Sequence, residues 1–172
     1  METKEALLKA MEAYFKTDTK RINHALRVTG YAEELLKGEG GDYTIVIGVS
    51  LLHDIGIHAA EEKYGSTLGK YQEIEGPPIA RQILTQLDFS PNQIEEICQI
   101  IAHHHSPGKI NTQNFKILYD ADWLVNLRDE YEIQDRNKLS NIIDQVFLTR
   151  SGQALARKIY LPEDERLERP HL

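Results

Sequence analysis

A histidine and an aspartate stand side by side, as His53 and Asp54, at the end of an almost unbroken apolar run that begins at Ile45. Adjacent residues on a helix point about 100° apart, so the pair cannot belong to a single amphipathic face. Two interpretations are open at this point. Either the pair caps the end of a buried helix, or its imidazole and carboxylate bind something.

Three other polar residues share this placement among apolar neighbours. Spacings of three and four residues mark the face of a helix that points into the core. A buried aspartate is costly unless it is paired or bound to a metal, and Asp122 lies on such a face. A lone histidine there is most often a hydrogen-bonded core residue, but four polar residues on four helices favour a shared site. The inward positions are His24 with Val28, Tyr31 and Leu35; His53 with Val46, Val49 and Gly56; His104 with Ile94, Ile97 and Ile101; and Asp122 with Phe115, Leu118 and Val125.

Helical phase also separates the members of the run "HHH". His103 aligns with Glu96 and Gln99, so we expect it to face solvent. His104 continues the isoleucine face, and His105 lies at the flank of that face. The run by itself is a weak signal, because histidine clusters also occur on solvated surfaces.

The same phase distinguishes the two carboxylates of "DAD". Asp120 aligns with Gln113 and Lys116, which predicts a position on the polar side of its helix. Asp122 is then the inward member of the pair.

The elements that must position these residues are predicted to be helices. The run "YTIVIGV" would also suit a strand, but the alternation of polar and apolar residues that an exposed sheet needs is missing nearly everywhere. We therefore expect an all-α fold, a single compact helical bundle over residues 1–160, with a C-terminal tail at 161–172. Helices are predicted over 3–16, 19–37, 43–57, 112–127, 136–149 and 151–159, with one that begins at Pro77 and Pro78, one that follows Ser90 and Pro91, and irregular structure over 58–75.

Composition narrows the classes of function. The 172 residues are 41% hydrophobic and 27% charged, as in an ordinary globular domain. Cys98 is the only cysteine, which excludes an internal disulfide and a thiolate-rich zinc site. The formal charge of −7 argues against an extended nucleic-acid surface. No apolar stretch is expected to reach the length that spans a bilayer, and the charged N-terminus is not typical of a signal peptide. We therefore expect a cytoplasmic protein, whose oligomeric state the sequence leaves open.

The ordered motif series resembles the HD-domain superfamily of metal-dependent phosphohydrolases. The resemblance rests on His24, on the pair His53-Asp54 followed by Ile55-Gly56, on the late histidines in "IIAHHHSPG", and on Asp122 in "YDADWL". It covers about residues 20–127, and "FLTRSGQALA" is similar to a C-terminal helix of that family. The dipeptide His53-Asp54 alone would be weak evidence, whereas the ordered set of motifs is specific to the family.

The resemblance implies that four residues bind one divalent metal. Imidazoles and carboxylates suit Mn, Zn, Fe, Co or Ni, whereas calcium is bound mainly by oxygens. Asp54 would also orient the attacking water and accept its proton. Gly56 would let another backbone come close to the pair. The implied ligands are His24, His53, Asp54 and Asp122.

A second metal is an open alternative. Binuclear members of the family usually carry a further histidine where this chain has Glu75, while His104 and His105 match their later histidine cluster. Glu75 would then be a ligand of the second ion, a general acid, or only a charge before a helix. With one ion, which we favour, His104 and His105 would contact the phosphate or protonate the leaving group.

The implied activity is hydrolysis of a small phosphomonoester or nucleotide. Arg27 and Lys109 are candidates for binding its phosphate, with Lys109 on a loop rich in turn residues. Two other classes remain open. HD-like helical scaffolds also support di-iron oxygenases, and a non-catalytic module that binds a metal or a nucleotide would fit the same residues.

Overall fold

Helix starts in this chain follow side chains that accept hydrogen bonds from the first turn. Ser90 forms a full capping box with Gln93, and Asp42, Thr112 and Thr149 accept from backbone N–H groups in the same way. The computed structural model describes residues 2–162 and contains nine helices and no strand in that range. The helices are α1 (Glu2–Phe15), α2 (Thr19–Glu39), α3 (Tyr43–Leu52), α4 (Ile57–Tyr64), α5 (Gly69–Gln86), α6 (Pro91–His103), α7 (Gln113–Asp129), α8 (Arg136–Val146) and α9 (Arg150–Tyr160).

The centre of the bundle is α3, which packs against α1, α2, α6 and α7. All of its residues from Ile45 to Leu52 are buried, so the apolar run forms the core rather than one face of a surface helix. The helices that were predicted to carry His24, His104 and Asp122 are three of these neighbours. The prediction of an all-α bundle is confirmed. Most of the predicted 161–172 tail lies outside the described residues.

The segment Tyr43–Tyr64 is long and apolar enough to cross a membrane by length and composition. The expectation that no apolar stretch reaches the length of a bilayer span was therefore wrong. Most of its residues are buried inside the fold, as expected for the core helix of a bundle, so this feature is weak evidence for membrane insertion.

The region 58–75, predicted to be irregular, is mostly helical. The long helix expected over 43–57 ends at Leu52, and after a turn at 53–56 the chain continues as α4. Only residues 65–68 separate α4 from α5. The prediction was wrong because α4 is short and mostly polar. It buries only Ile57 and Ala60, and two buried residues are too few to show a helical period in the sequence.

Pro77 and Pro78 lie inside α5 and do not start it. A proline in a helix interior lacks the N–H donor and costs about 3 kcal/mol, which is why the sequence favoured a helix start. Packing offsets this cost, since α5 lies against α4 and α6 and buries one residue per turn on a continuous face. That face consists of Gln72, Gly76, Ala80 and Leu84.

The turn at 53–56 is in backbone contact with α5. A Cβ atom on Gly56 would lie 2.5 Å from the backbone N of Gly76 and 2.9 Å from the carbonyl oxygen of Gln72. Such distances leave no room for any side chain at Gly56. The expectation that another backbone approaches the His53-Asp54 pair at this glycine is confirmed, and the backbone is that of α5.

Asp120 is fully buried, so its prediction as a residue on the polar side of the helix was wrong. Its carboxylate accepts hydrogen bonds from the backbone N–H of Leu148 (2.8 Å), and from the N–H (2.9 Å) and hydroxyl (2.6 Å) of Thr149. Burial raises the pKa of Asp120 to about 6, although these donors oppose the shift. The prediction from helical phase failed because α7 is covered on two sides. The helices α2 and α3 pack on one side, and α9 packs on the other.

We expect Gly152→Ala to destabilise the fold by roughly 1–3 kcal/mol, a typical cost of forcing an extra methyl group into a packed site. A Cβ on Gly152 would lie 2.2 Å from Oδ2 of Asp120, so the start of α9 would have to move away from α7. Urea unfolding of the full chain measures the change.

The matched control is Gly30→Ala, since nothing lies within 4 Å of a Cβ on Gly30 in the middle of α2. This variant should be neutral or more stable by about 0.5–1 kcal/mol, because alanine favours a helix interior. Equal effects of the two substitutions would contradict the close contact between Gly152 and Asp120.

Candidate metal centre

His53 is the first residue of the turn that follows α3, and its ring is completely buried. Its Nδ1–H donates to the carbonyl oxygen of Ser50 at 2.9 Å. This bond orients the ring so that Nε2 faces the interior of the bundle. A backbone carbonyl that orients an imidazole in this way is typical of histidines that bind metals.

His104 at the end of α6 is held in the same way. Its Nδ1–H donates to the carbonyl oxygen of Ile101 at 2.6 Å, and the side chain is almost fully buried. Its Nε2 has no hydrogen-bond partner among the described residues and lies 3.4 Å from Oδ1 of Asp54. A buried polar atom without a partner is costly, so this nitrogen favours a ligand beside Asp54.

His24 on α2 and Asp122 on α7 complete the cluster around the turn. Nε2 of His24 lies 3.2 Å from Nε2 of His53, 3.0 Å from Oδ1 of Asp122 and 3.3 Å from Oδ2 of Asp54. Nε2 of His53 lies 3.4 Å from each of the same two carboxylates. Three segments of the chain thus direct two nitrogens and two carboxylates at one point.

The electrostatics of this cluster favour a cation. Burial opposes a charge on His53, but the carboxylates of Asp54 and Asp122 raise its pKa to about 9. Burial alone would raise the pKa values of these two aspartates, yet the facing imidazole of His53 lowers both. The two carboxylates are therefore ionised and need positive charge between them, which a divalent metal ion would supply. The donor set fits that ion, since imidazole and carboxylate suit divalent transition metals.

Asp54 also belongs to a second group of potential metal ligands. One ligand atom each from Asp54, His104 and His105 lies within 4.8 Å of the others, as is true of His24, His53 and Asp54. The His105 ring packs against the His104 ring, with ring centroids 4.0 Å apart. Although part of His105 is open to solvent, desolvation of its ring and the neighbouring His104 lower its pKa to about 4. His105 is therefore neutral at pH 7, which suits a metal ligand better than a general acid.

The structure does not bring Glu75 to either group. Its carboxylate pairs with the Lys63 ammonium at 3.0 Å and accepts a hydrogen bond from the Tyr64 hydroxyl at 3.0 Å. The residue of α5 that faces the site is Gln72, whose Oε1 lies 3.4 Å from Nε2 of His105. The four-residue spacing of the buried face of α5 was the signal that could have identified Gln72.

A cavity of about 400 Å³ opens beside the cluster and is lined by Asp54 and Asp122 as well as His24 and His105. Arg27 lines it, as a phosphate-binding residue would have to. The remaining lining includes polar residues that the sequence analysis did not single out. These are Lys20, Arg21, Asn23, Gln72, Asn126, Asp129 and Glu130.

Lys109 is exposed on the loop after α6 and is not among the residues that line this cavity. The start of that loop is attached to α5, because the Glu73 carboxylate accepts from the backbone N–H of His105 at 3.3 Å and from the Ser106 hydroxyl at 2.9 Å. His103 is turned away from the cluster, and its Nδ1–H donates to the carbonyl oxygen of Gln99 at 2.9 Å.

Comparison with known proteins identifies the family. The family model described as "HD domain" matches residues 21–127, more than half of the chain. The chain belongs to the HD domain family. The matched segment contains the whole HD cluster, from His24 to Asp122, while α8 and α9 lie beyond it.

One solved structure has the same fold over nearly the whole chain. It is the crystal structure of a predicted HD superfamily hydrolase from an uncultured Thermotogales bacterium, with a TM-score of 0.66 and 25% sequence identity. The match covers 90% of this chain and 83% of that chain. None of the curated proteins compared with the sequence matches it. The similarity of the two HD folds extends past the matched segment into the C-terminal helices.

We expect His53→Ala and Asp54→Ala each to remove a tightly held metal ion, since each deletes a group that points at the centre of the cluster. Elemental analysis of full-length protein purified without a histidine tag measures the metal content per chain. Glu75→Ala is the control, and it should leave that content unchanged because Glu75 is bonded to Lys63 and Tyr64. Full metal occupancy in both the His53 and Asp54 variants would rule out this metal centre.

Proposed function

We propose that this chain is a metal-dependent phosphohydrolase that acts on a small phosphomonoester or nucleotide. The observation that carries the proposal is the convergence of His24, His53, Asp54 and Asp122 on one point beside an open cavity that is also lined by Lys20, Arg21 and Arg27. Membership of the HD domain family supports it. The likeness to a protein described as a predicted HD superfamily hydrolase supports hydrolysis as the reaction class.

The four converging residues would hold one divalent ion of Mn, Zn, Fe, Co or Ni. The chemistry that such an ion supplies is a lower pKa for water and stabilisation of negative charge on a phosphoryl oxygen. Asp54, His104 and His105 offer only three protein groups, one of them partly open to solvent, so we propose that they form a weaker second site. One tightly bound ion per chain is the expected content.

Asp54 is the residue best placed to handle the proton of the attacking water. Its carboxylate lines the cavity and lies between the two groups, with Oδ2 close to His24 and Oδ1 close to His104. Its lowered pKa keeps it ionised, so it can accept a hydrogen bond from water and orient it towards a bound phosphate.

Arg27 would bind the non-reacting phosphate oxygens. Its Nη1 donates to Asp129 at 2.8 Å, which holds the guanidinium at the cavity wall. A guanidinium has five N–H donors, so this bond leaves others for a phosphate.

A panel of phosphomonoesters and phosphodiesters, assayed with each of the candidate metals, tests the proposal. Phosphate release that depends on added metal and is lost in Asp54→Asn would support it. An iron chromophore with oxygen consumption and no phosphate release would support the oxygenase alternative. Nucleotide binding without turnover would support a non-catalytic module.

We expect His104→Ala to lower turnover by roughly a hundredfold or more, a typical loss for a residue in an acid-base or metal-supporting role. His103→Ala should leave turnover within a few-fold, because its ring is bonded to the backbone of its own helix and lies outside both groups. Steady-state kinetics of the two variants makes the comparison. The reverse order of damage would show that α6 is rotated relative to the cluster.

A further inference from the structure

The cavity beside the metal centre carries opposite charges at its two ends. Lys20 and Arg21 lie in the first turn of α2 and line one end. Asp129 and Glu130, at the end of α7, line the other. His24 lies on α2 between Lys20 and Arg27, and Arg27 pairs with Asp129 at the acidic end, so the proposed metal cluster lies between the two ends.

The cations at the α2 end form no ion pair with the residues that the structure describes. Within residues 2–162, neither the Lys20 ammonium nor the Arg21 guanidinium has an acidic group within 4.0 Å, whereas Arg27 is paired with Asp129. Asp18, the nearest acid in the sequence, is paired with His58 at 2.7 Å. Arg21 is still close enough to Asp18 to help lower the pKa of that carboxyl, but neither cation is held in an ion pair, so the two adjacent cations make a local site for an anion in a protein with a formal charge of −7.

The position of these cations relative to the cluster fixes where such an anion would lie. Lys20 precedes His24 by four residues, so the two share one face of α2. The separation along the helix axis is about 6 Å, at 1.5 Å per residue. An anionic group held by Lys20 and Arg21 would therefore sit about one helical turn from a phosphate at the metal centre.

We propose that Lys20 and Arg21 form a second anion subsite, so that the preferred substrate is a phosphate ester with another phosphate about one helical turn from the reacting phosphorus. The proposal rests on the phosphohydrolase function proposed above. The opposite end of the cavity disfavours the second anion, since Asp129 neutralises Arg27 and Glu130 adds a negative charge. Both a simple bisphosphate and a nucleoside bisphosphate present this chemistry.

Matched pairs of compounds test the subsite on the metal-loaded full chain. The first pair is n-propyl phosphate and propane-1,3-diol bisphosphate; the second is a nucleoside 5′-monophosphate and the corresponding 3′,5′-bisphosphate. We expect KM for each bisphosphate to be about tenfold lower than for its monophosphate, which is the order of one charge-assisted contact. A preference confined to the second pair would identify a nucleotide as the substrate.

The double variant Lys20→Ala/Arg21→Ala should lose this preference while kcat for n-propyl phosphate stays within a few-fold. Lys20→Arg/Arg21→Lys, which keeps both charges, should retain it. The control Lys9→Ala/Lys37→Ala removes the same charge from exposed positions outside the cavity and should also retain it. A preference that survives removal of Lys20 and Arg21 would overturn the subsite.

Calorimetric binding of the same compounds separates the subsite from the reaction. Tighter binding of the bisphosphate that depends on Lys20 and Arg21, without phosphate release from any compound, would support the subsite and overturn the phosphohydrolase function. Phosphate release with equal KM and Kd for both members of each pair would support the function and overturn the subsite. No binding of either bisphosphate would also overturn the subsite.

Discussion

Two carboxylates that must stay ionised inside a helical bundle govern this structure. Asp54 and Asp122 would each be costly to bury alone, and the imidazoles of His24 and His53 lie within 3.4 Å of both. Because these groups come from α2, α7 and the turn after α3, the packing of those elements and the charge balance of the cluster depend on each other. A bound cation would balance the charge of the two carboxylates and hold the three elements together. The cavity lined by Asp54 and Asp122 would give a substrate access to that cation.

Much of this cluster could be predicted from the sequence because its residues obey helical phase. His24 and Asp122 each continue an apolar face and point inward as expected, and His104 follows the buried face of α6 at its end. His53 is buried as well, but it lies in the turn after α3 and not on the face of a longer helix. The Ser90 capping box likewise marks the true start of α6. These predictions succeed because they depend only on the period of a helix and on hydrogen bonds within one turn, both of which are local.

The features that the sequence did not reveal depend on what packs from outside. Asp120 looked solvent-facing because its neighbours on α7 are polar, yet the segment before α9 covers it. The helix α5 begins at Gly69 and not at its prolines, so Gln72 is part of its buried face. Gln72 therefore contacts His105, where Glu75 had been expected. The pattern of α7 alone does not encode the contact of Asp120, and the pattern of α5 indicates Gln72 only when its buried face is extended back past the prolines.

The carboxylate of Asp120 also bears on where the functional unit ends. It lies on the same helix as Asp122, two residues away, and its hydrogen-bond donors come from Leu148 and Thr149. The HD match stops at residue 127, before either donor. A fragment cut at that boundary would retain every proposed ligand but would uncover this acid and the side of α7 against which α9 packs. The folded unit that buries Asp120 is therefore longer than the segment that defines the family.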